Sequence, residues 1–293
     1  MTGNKSLVNV ELGKLAGPAK VFIEKVSDAV GGLFKPYQMV RVARAAAEAD
    51  RISAESQIQV TEIHRRAMYR FLEEEAQKQH NMEAIAQSAL PLLEDKSAPQ
   101  NVADDWITNF FDKARIVSDA DMQALWARVL AGEANGPGAF AKRTVNLLGD
   151  LDKEDAVLFA TLSGFCWDMA GITPLIFDAN ASMYNNRGIN FGALAHLESL
   201  GLAQFHHPAT FTRTELPKVP TVHYFGRPLK LTLPNESGNV VEIGHLILTR
   251  AGQQLAPVCA PAPVDGFFEY VTERWIGRGY LPRPEPDAAG NKG

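Results

Sequence analysis

The sequence predicts a mainly α protein built from a long N-terminal helix or helical hairpin, a compact helical bundle and a C-terminal α+β domain. Three observations predict it. Residues 37–90 contain neither glycine nor proline, an uninterrupted run far longer than ordinary globular helices. Between Val102 and Cys166 large apolar residues recur at helical spacing, as in helices with one buried face. Alternation at strand period appears only beyond Trp167, most clearly in TVHYFGRPLKLTL at residues 221–233.

The first 17 residues read as a mobile N-terminus. Gly17-Pro18 opens a short helix, since proline suits a first helical position. Val21, Val26, Val30 and Phe34 line one side, with Ile23 and Ala29 widening it, and Gly31-Gly32 and Pro36 close it. This amphipathic segment gives a third, membrane-contacting reading through Phe22 and Phe34. The rod then begins near Tyr37. Its first half is alanine-rich, which permits close helix approach. Its second half carries Ile52, Ile63, Met68, Phe71 and Leu72, the expected oligomerisation residues. Their spacing drifts from a clean heptad, so a hairpin or oligomeric bundle fits better than a regular coiled coil. His80 and Asn81 are weak helix formers and mark a break near Gln79–Asn81. A rod this long cannot bury its apolar stripe against the residues that follow it, so a partner is implied.

The segment 18–97 thus forms the amphipathic helix and rod. Residues 98–167 form the bundle. Val102–Ala114 carries Trp106, Ile107, Phe110 and Phe111. Ser118 is expected to cap a helix bearing Met122, Leu125, Trp126, Val129 and Leu130. Residues 132–138, GEANGPG, read as a tight turn, and two further helices follow, the second ending near Cys166. Residues 168–280 form the α+β domain. A strand is expected at Pro174–Phe177, a helix at Phe191–Leu200 closed by Gly201, and strands at 202–206, 221–233 and 240–248. Thr249 caps RAGQQL, and Phe267–Ile276 is the last helix. Residues 281–293 read as a disordered tail.

Composition narrows the function classes. A formal net charge of −5 over 293 residues disfavours a chain-wide nucleic-acid footprint. Cys166 and Cys259 fit no metal or redox spacing and read as reduced buried thiols. The N-terminus carries no apolar leader and no run long enough to span a bilayer, so a cytoplasmic location is expected. No phosphate loop, nucleotide fingerprint or nucleophile elbow is present. Neither a catalytic set, a metal site nor a cofactor is expected, and the chain reads as a non-enzyme.

The remaining polar clusters have ordinary explanations. His206-His207 is the best metal candidate, with His223 or His245 completing a site, but adjacent strand residues point to opposite faces. Asp104, Asp105, Asp119 and Asp121 sit where helix starts favour acidic residues. Glu133 follows Trp126 by seven residues and is placed to hold the next loop through backbone hydrogen bonds. Arg41, Arg44, Arg51, Arg65, Arg66 and Arg70 alternate with acids along the rod, as on a solvated helix. Arg213, Lys218, Arg227 and Lys230 surround the expected hairpin and are the candidate nucleic-acid contacts of a DNA-binding alternative.

Two resemblances complete the reading. ALAHLESLGLAQ, a hairpin and LILTRAGQQLAPV resemble part of a winged-helix domain, so the C-terminal α+β domain is expected to be winged-helix-like. The helix FGALAHLESL carries no lysine or arginine, which points that domain towards a protein partner rather than DNA. Three phrases together, GPAKVFIEKVSDAVGGLFKPYQMVRVARA, WITNFFDKARIVSDADMQALWARVLAGEANGPGAFAKRTVNLLGDLDKEDAVLF and LTRAGQQLAPV, resemble a bacterial family known only as a domain of unknown function. The first and last also resemble the Abi-alpha abortive-infection proteins. That resemblance implies a setting in anti-phage defence and supplies no catalytic residue. The expectation is therefore a homo-oligomer with a protein partner, the alternatives being a DNA-binding regulator and a membrane-acting effector.

Overall fold

The computed structural model describes residues 17–32 and 62–282. Among these, about 51% are helical and 14% lie in strands of small antiparallel sheets. The fold is therefore mixed α and β, which corrects the mainly α expectation. The shortfall arose because two strands are only three residues long (Cys166–Asp168, Ile172–Pro174), too short to display an alternating pattern. The chain divides into two compact units at Asp150/Leu151.

The first unit is helical in its described residues. Helix α1 (Pro18–Ala29) has Pro18 in its first turn and buries Phe22, Ile23 and Val26. Helix α2 (Glu62–Ala89) spans 28 residues and runs straight through the break expected at Gln79–Asn81. Asn81 is buried, donates Nδ2 to Arg115 O at 2.9 Å and accepts from Gln77 Nε2 at 2.9 Å. Satisfied at both ends, its amide does not compete with the helix backbone.

Helices α3 (Asp104–Ala114), α4 (Ala120–Asn135) and α5 (Lys142–Gly149) complete the unit. Phe110 is fully buried; it stacks on Trp106 at 5.2 Å between ring centroids and meets Trp126 edge-on at 5.0 Å. Edge-on and offset contacts of this kind add to simple burial. Asp119, not Ser118, caps α4, its carboxylate accepting from Asp121 N at 3.0 Å and Met122 N at 3.1 Å. Helix α4 also runs four residues into the expected turn, reaching Asn135.

The second unit begins with α6 (Lys153–Ser163), which the sequence pattern grouped with the helical bundle. It continues through β1 (Cys166–Asp168), β2 (Ile172–Pro174), α7 (Ser182–Asn185), α8 (Phe191–Ser199), β3 (Ala203–Phe205), β4 (Phe211–Leu216), β5 (Thr221–Tyr224) and β6 (Arg227–Lys230). It ends with β7 (Asn239–Gly244), β8 (Leu246–Leu248), α9 (Arg250–Leu255) and α10 (Phe267–Gly277).

One sheet has the order β2-β1-β5-β6, while β3 pairs with β8 and β4 with β7, all antiparallel. The expected strand 221–233 is thus a hairpin, β5–β6, turned at Phe225-Gly226, where Phe225 has φ 45° and Gly226 φ 81°. The expected strand 240–248 is split at Gly244-His245. Gly244 has φ 103°, and a Cβ there would stand 2.0 Å from Ile176 O; the next amide, His245 N, donates to that same oxygen at 2.8 Å. Only glycine allows so close an approach.

Trp167 centres the aromatic core of this unit. It stacks on Tyr224 at 5.2 Å and Phe268 at 5.3 Å and meets Trp275 edge-on at 5.1 Å. Tyr224 Oη donates to Gly164 O at 2.8 Å and accepts from Val264 N at 2.6 Å, so its polar tip is satisfied inside the core.

Candidate interaction surface

Helix α2 changes environment along its length. Its last turns bury Asn81, Ile85, Ala86 and Ala89. Its first turns leave Ile63 (65% exposed), Met68 (48%), Tyr69 (66%) and Phe71 (56%) open, with Leu72 half-buried. These are not scattered positions. Ile63 and Asn81, Met68 and Ala86, and Phe71 and Ala89 are each 18 residues apart, about five turns at 3.6 residues per turn. The stripe that enters the core at one end therefore continues, on the same azimuth, over the open end.

A contiguous apolar stripe left open on a long helix marks an interaction surface more strongly than single exposed hydrophobics do. Four of the five expected assembly residues, Ile63, Met68, Phe71 and Leu72, lie on this stretch; Ile52 and Phe34 fall outside the described residues. The sequence reading missed Tyr69, which stands between Met68 and Arg70. Phe22, the other residue of the membrane reading, is 1% exposed and faces the interior of its own unit. Among the described residues no helix is long and apolar enough to cross a membrane.

The open half of α2 also carries ordered charge. Arg65, Arg66 and Arg70 precede Glu73, Glu74 and Glu75. Ion pairs join Arg65 to Glu62 at 3.0 Å, Arg70 to Glu74 at 3.3 Å and Lys78 to Glu75 at 2.7 Å. Exposed pairs of this kind are worth about 0–1 kcal/mol and do not lock the side chains.

Three of the four candidate nucleic-acid residues are engaged within the unit. Arg213 donates to Ala170 O. Lys218 pairs with Glu236 at 2.6 Å. Arg227 pairs with Glu269 at 3.0 Å and lies 3.4 Å over the Phe268 ring. Lys230 is exposed on β6. Carboxylates beside two of these cations weaken the field a phosphate backbone would require.

The histidines divide similarly. His207 and His245 rings lie 5.5 Å apart, but His245 Nδ1 is held by Ala209 O at 2.8 Å. His223 is placed elsewhere, opposite Asp168 on β5. Among the described residues no group of three or more His, Cys, Asp or Glu could hold a metal ion. Cys166 and Cys259 are both free and buried, and burial pushes the Cys166 thiol far up, with Cys259 adding to the shift.

The aspartates serve helix starts and ion pairs. Asp104 pairs with Lys25 at 2.5 Å. Asp105 accepts from Lys142, and that hydrogen bond holds its carboxyl below the usual range. Glu133 is 3% exposed and accepts from Gly138 N at 2.7 Å and Phe140 N at 2.8 Å, as the sequence spacing suggested. Burial pushes its carboxyl up, against the pull of those backbone donors. Trp106 Nε1 donates to Phe140 O at 2.7 Å, so the loop after α4 is clasped from both sides. This arrangement is structural: the carboxylate is consumed by the loop it holds.

No curated protein and no solved structure matches the chain. One family model does, over residues 65–272, which include the middle and last of the three resembling phrases but not the first. With that model covering well over half of its length, the chain belongs to the DUF2806 family, proteins of unknown function.

Proposed function

We propose that this chain is a non-enzymatic, cytoplasmic bacterial protein that self-assembles through the open half of α2 and uses its second unit to hold another protein. One observation carries the assembly reading: the core-facing stripe of α2 continues through Ile63, Met68 and Phe71 over a helix that leaves them 65%, 48% and 56% exposed. Covering such a stripe recovers hydrophobic free energy in proportion to the apolar area removed from water.

The second unit supports the partner reading by its order of elements. Helix α8 ends at Gly201 in the left-handed region, β3 pairs with β8, and the β4/β7 pair extends between them. The helix, the β3–β8 pair and the antiparallel β4–β7 pair, with the β5–β6 hairpin inserted between β4 and β7, support the winged-helix likeness of ALAHLESLGLAQ and LILTRAGQQLAPV. Helix α8 presents no lysine or arginine, and the wing-side cations Arg213 and Lys218 are engaged, so a protein suits this surface better than duplex DNA. The defence setting rests on the likeness of the first and last phrases to Abi-alpha proteins.

Light scattering on the eluting full-length chain tests the assembly. The wild type is expected at a multiple of its 32.0 kDa chain mass, and Met68→Glu/Phe71→Glu at the monomer mass with an unchanged melting transition. A wild-type monomer at high concentration overturns the reading. The defence role is tested by plaque counts: cells making the wild-type chain should restrict at least one phage of a panel, and the double variant should lose that restriction. Equal plaque counts with and without the wild-type chain would refute it.

A further inference from the structure

The charge order on the open half of α2 specifies how two copies would meet. Along the helix axis His64, Arg65 and Arg66 come first and Glu73, Glu74 and Glu75 come about two and a half turns later. The two blocks are equidistant from the point between Tyr69 and Arg70. Between them lie Met68 and Phe71, both exposed and both on the stripe that continues into the core. Reversing the helix about that point sets each basic block level with an acidic block along the axis, with His64 over Glu75 and Met68 over Phe71 on the shared face. A parallel pairing in register would set each block over its own kind.

We propose that the occupant of this surface is a second copy of the same chain, bound antiparallel, with a two-fold axis between Tyr69 and Arg70. This rests on the assembly reading above and adds its geometry. The interface would be isologous, each patch meeting its own equivalent, as a closed two-fold dimer requires. Its apolar centre would come from Met68 and Phe71. Its charged ends would fix direction and register, the role that rim charges serve best. The intrahelical pairs of Arg65 with Glu62 and Arg70 with Glu74 are exposed and weak, so their exchange for pairs between chains is nearly neutral. Like-charged blocks brought together would be repulsive, which disfavours the parallel arrangement.

His64 and Glu75 report the direction, because they lie 11 residues apart, about three turns, and so share one side of the helix. In the antiparallel dimer His64 of one copy lies over Glu75 of the other. The full-length chain is made as His64→Cys and, separately, as Glu75→Cys; Cys166 and Cys259 are buried. Each variant alone and an equimolar mixture, allowed to exchange subunits, is treated with a short bismaleimide. The expected result is a band at twice the chain mass in the mixture and little in either variant alone. Cross-linking of each variant with itself would show a parallel dimer and overturn this geometry while leaving self-assembly standing. No cross-link in any sample, together with a monomer mass by light scattering, would overturn both, as expected if residues 33–61 of the same chain or a different protein cover the stripe.

Discussion

Glu133 commits both oxygens of its carboxylate to one loop, holding Gly138 N and Phe140 N. Glu133→Ala should destabilise the first unit by about 1–3 kcal/mol, because one buried and one part-buried backbone donor lose their acceptors; urea titration followed by tryptophan fluorescence measures it. The pH dependence has a definite sign. The folded carboxyl titrates above its ordinary value of 4.5, so the folded state binds its proton more tightly than the unfolded chain. Its contribution to stability is then fullest below 4.5 and is lost as pH rises through the raised value. Relative to Glu133→Gln, the wild type should lose stability as pH climbs through that window, and a difference that grows in the opposite direction would refute the assignment. The role of Glu133 is legible from spacing alone, since the seventh residue after Trp126 lies on the face that meets the next loop. Ser118 and Asp119 are harder to separate by sequence. Both are good caps, and only the backbone of Asp119, at φ −69° and ψ 130°, decides between them.

At the scale of elements, the phrase LTRAG has a physical cause. Thr249 Oγ1 accepts from Gly252 N at 3.1 Å and donates to Gly201 O at 2.7 Å, so one hydroxyl caps α9 and ties it to the end of α8. A Cβ on Gly252 would stand 2.1 Å from Leu202 O, which is backbone and cannot swing aside. Gly252→Ala is therefore expected to be the worse substitution. Thr249→Ala should cost about 1 kcal/mol, as lost N-caps do, whereas Gly252→Ala should cost more than about 3 kcal/mol or prevent soluble expression, as overpacking against backbone does. Thermal unfolding of the two variants ranks them, and the reverse order would show that the approach relaxes. The helices α8 and α9 are readable in the sequence because capping residues and a left-handed glycine punctuate them. Of the strands, β3 and the β7–β8 run are readable too, whereas β1 and the β5–β6 hairpin are not, for two reasons. Cys166–Asp168 is too short to alternate, and β5 and β6 read as one run because Phe225 turns the hairpin at φ 45°, a conformation uncommon for a bulky residue. Helix α2 departs in the other direction. Propensity suggests a break at Asn81, and tertiary hydrogen bonds to Asn81 override it.

For the whole molecule, the long run without glycine or proline is the feature most visible in the sequence; of it the structure describes Glu62–Ala89, and the first half of the expected rod, residues 37–61, lies outside the described residues. Absence of glycine and proline predicts length, but the azimuth shared by Ile63 with Asn81 and Phe71 with Ala89 gains meaning only once Asn81 and Ala89 are seen to be buried. The basic set is misleading for a related reason: sequence gives sign but not partner, and Lys218 and Arg227 turn out to face Glu236 and Glu269. Neutralising Arg213, Lys218, Arg227 and Lys230 should accordingly leave mobility shifts on duplex DNA unchanged across a salt series; loss of a salt-dependent shift would revive the regulator reading. Substitution of exposed Met68 and Phe71 by glutamate should alter unfolding free energy of the isolated chain by less than about 0.5 kcal/mol, as surface changes do, while removing association. The most direct measurement is the solution mass of the full-length wild type beside Met68→Glu/Phe71→Glu at matched concentrations. A wild type heavier than one chain and a folded monomeric variant are predicted; equal monomer masses for the two would contradict the account.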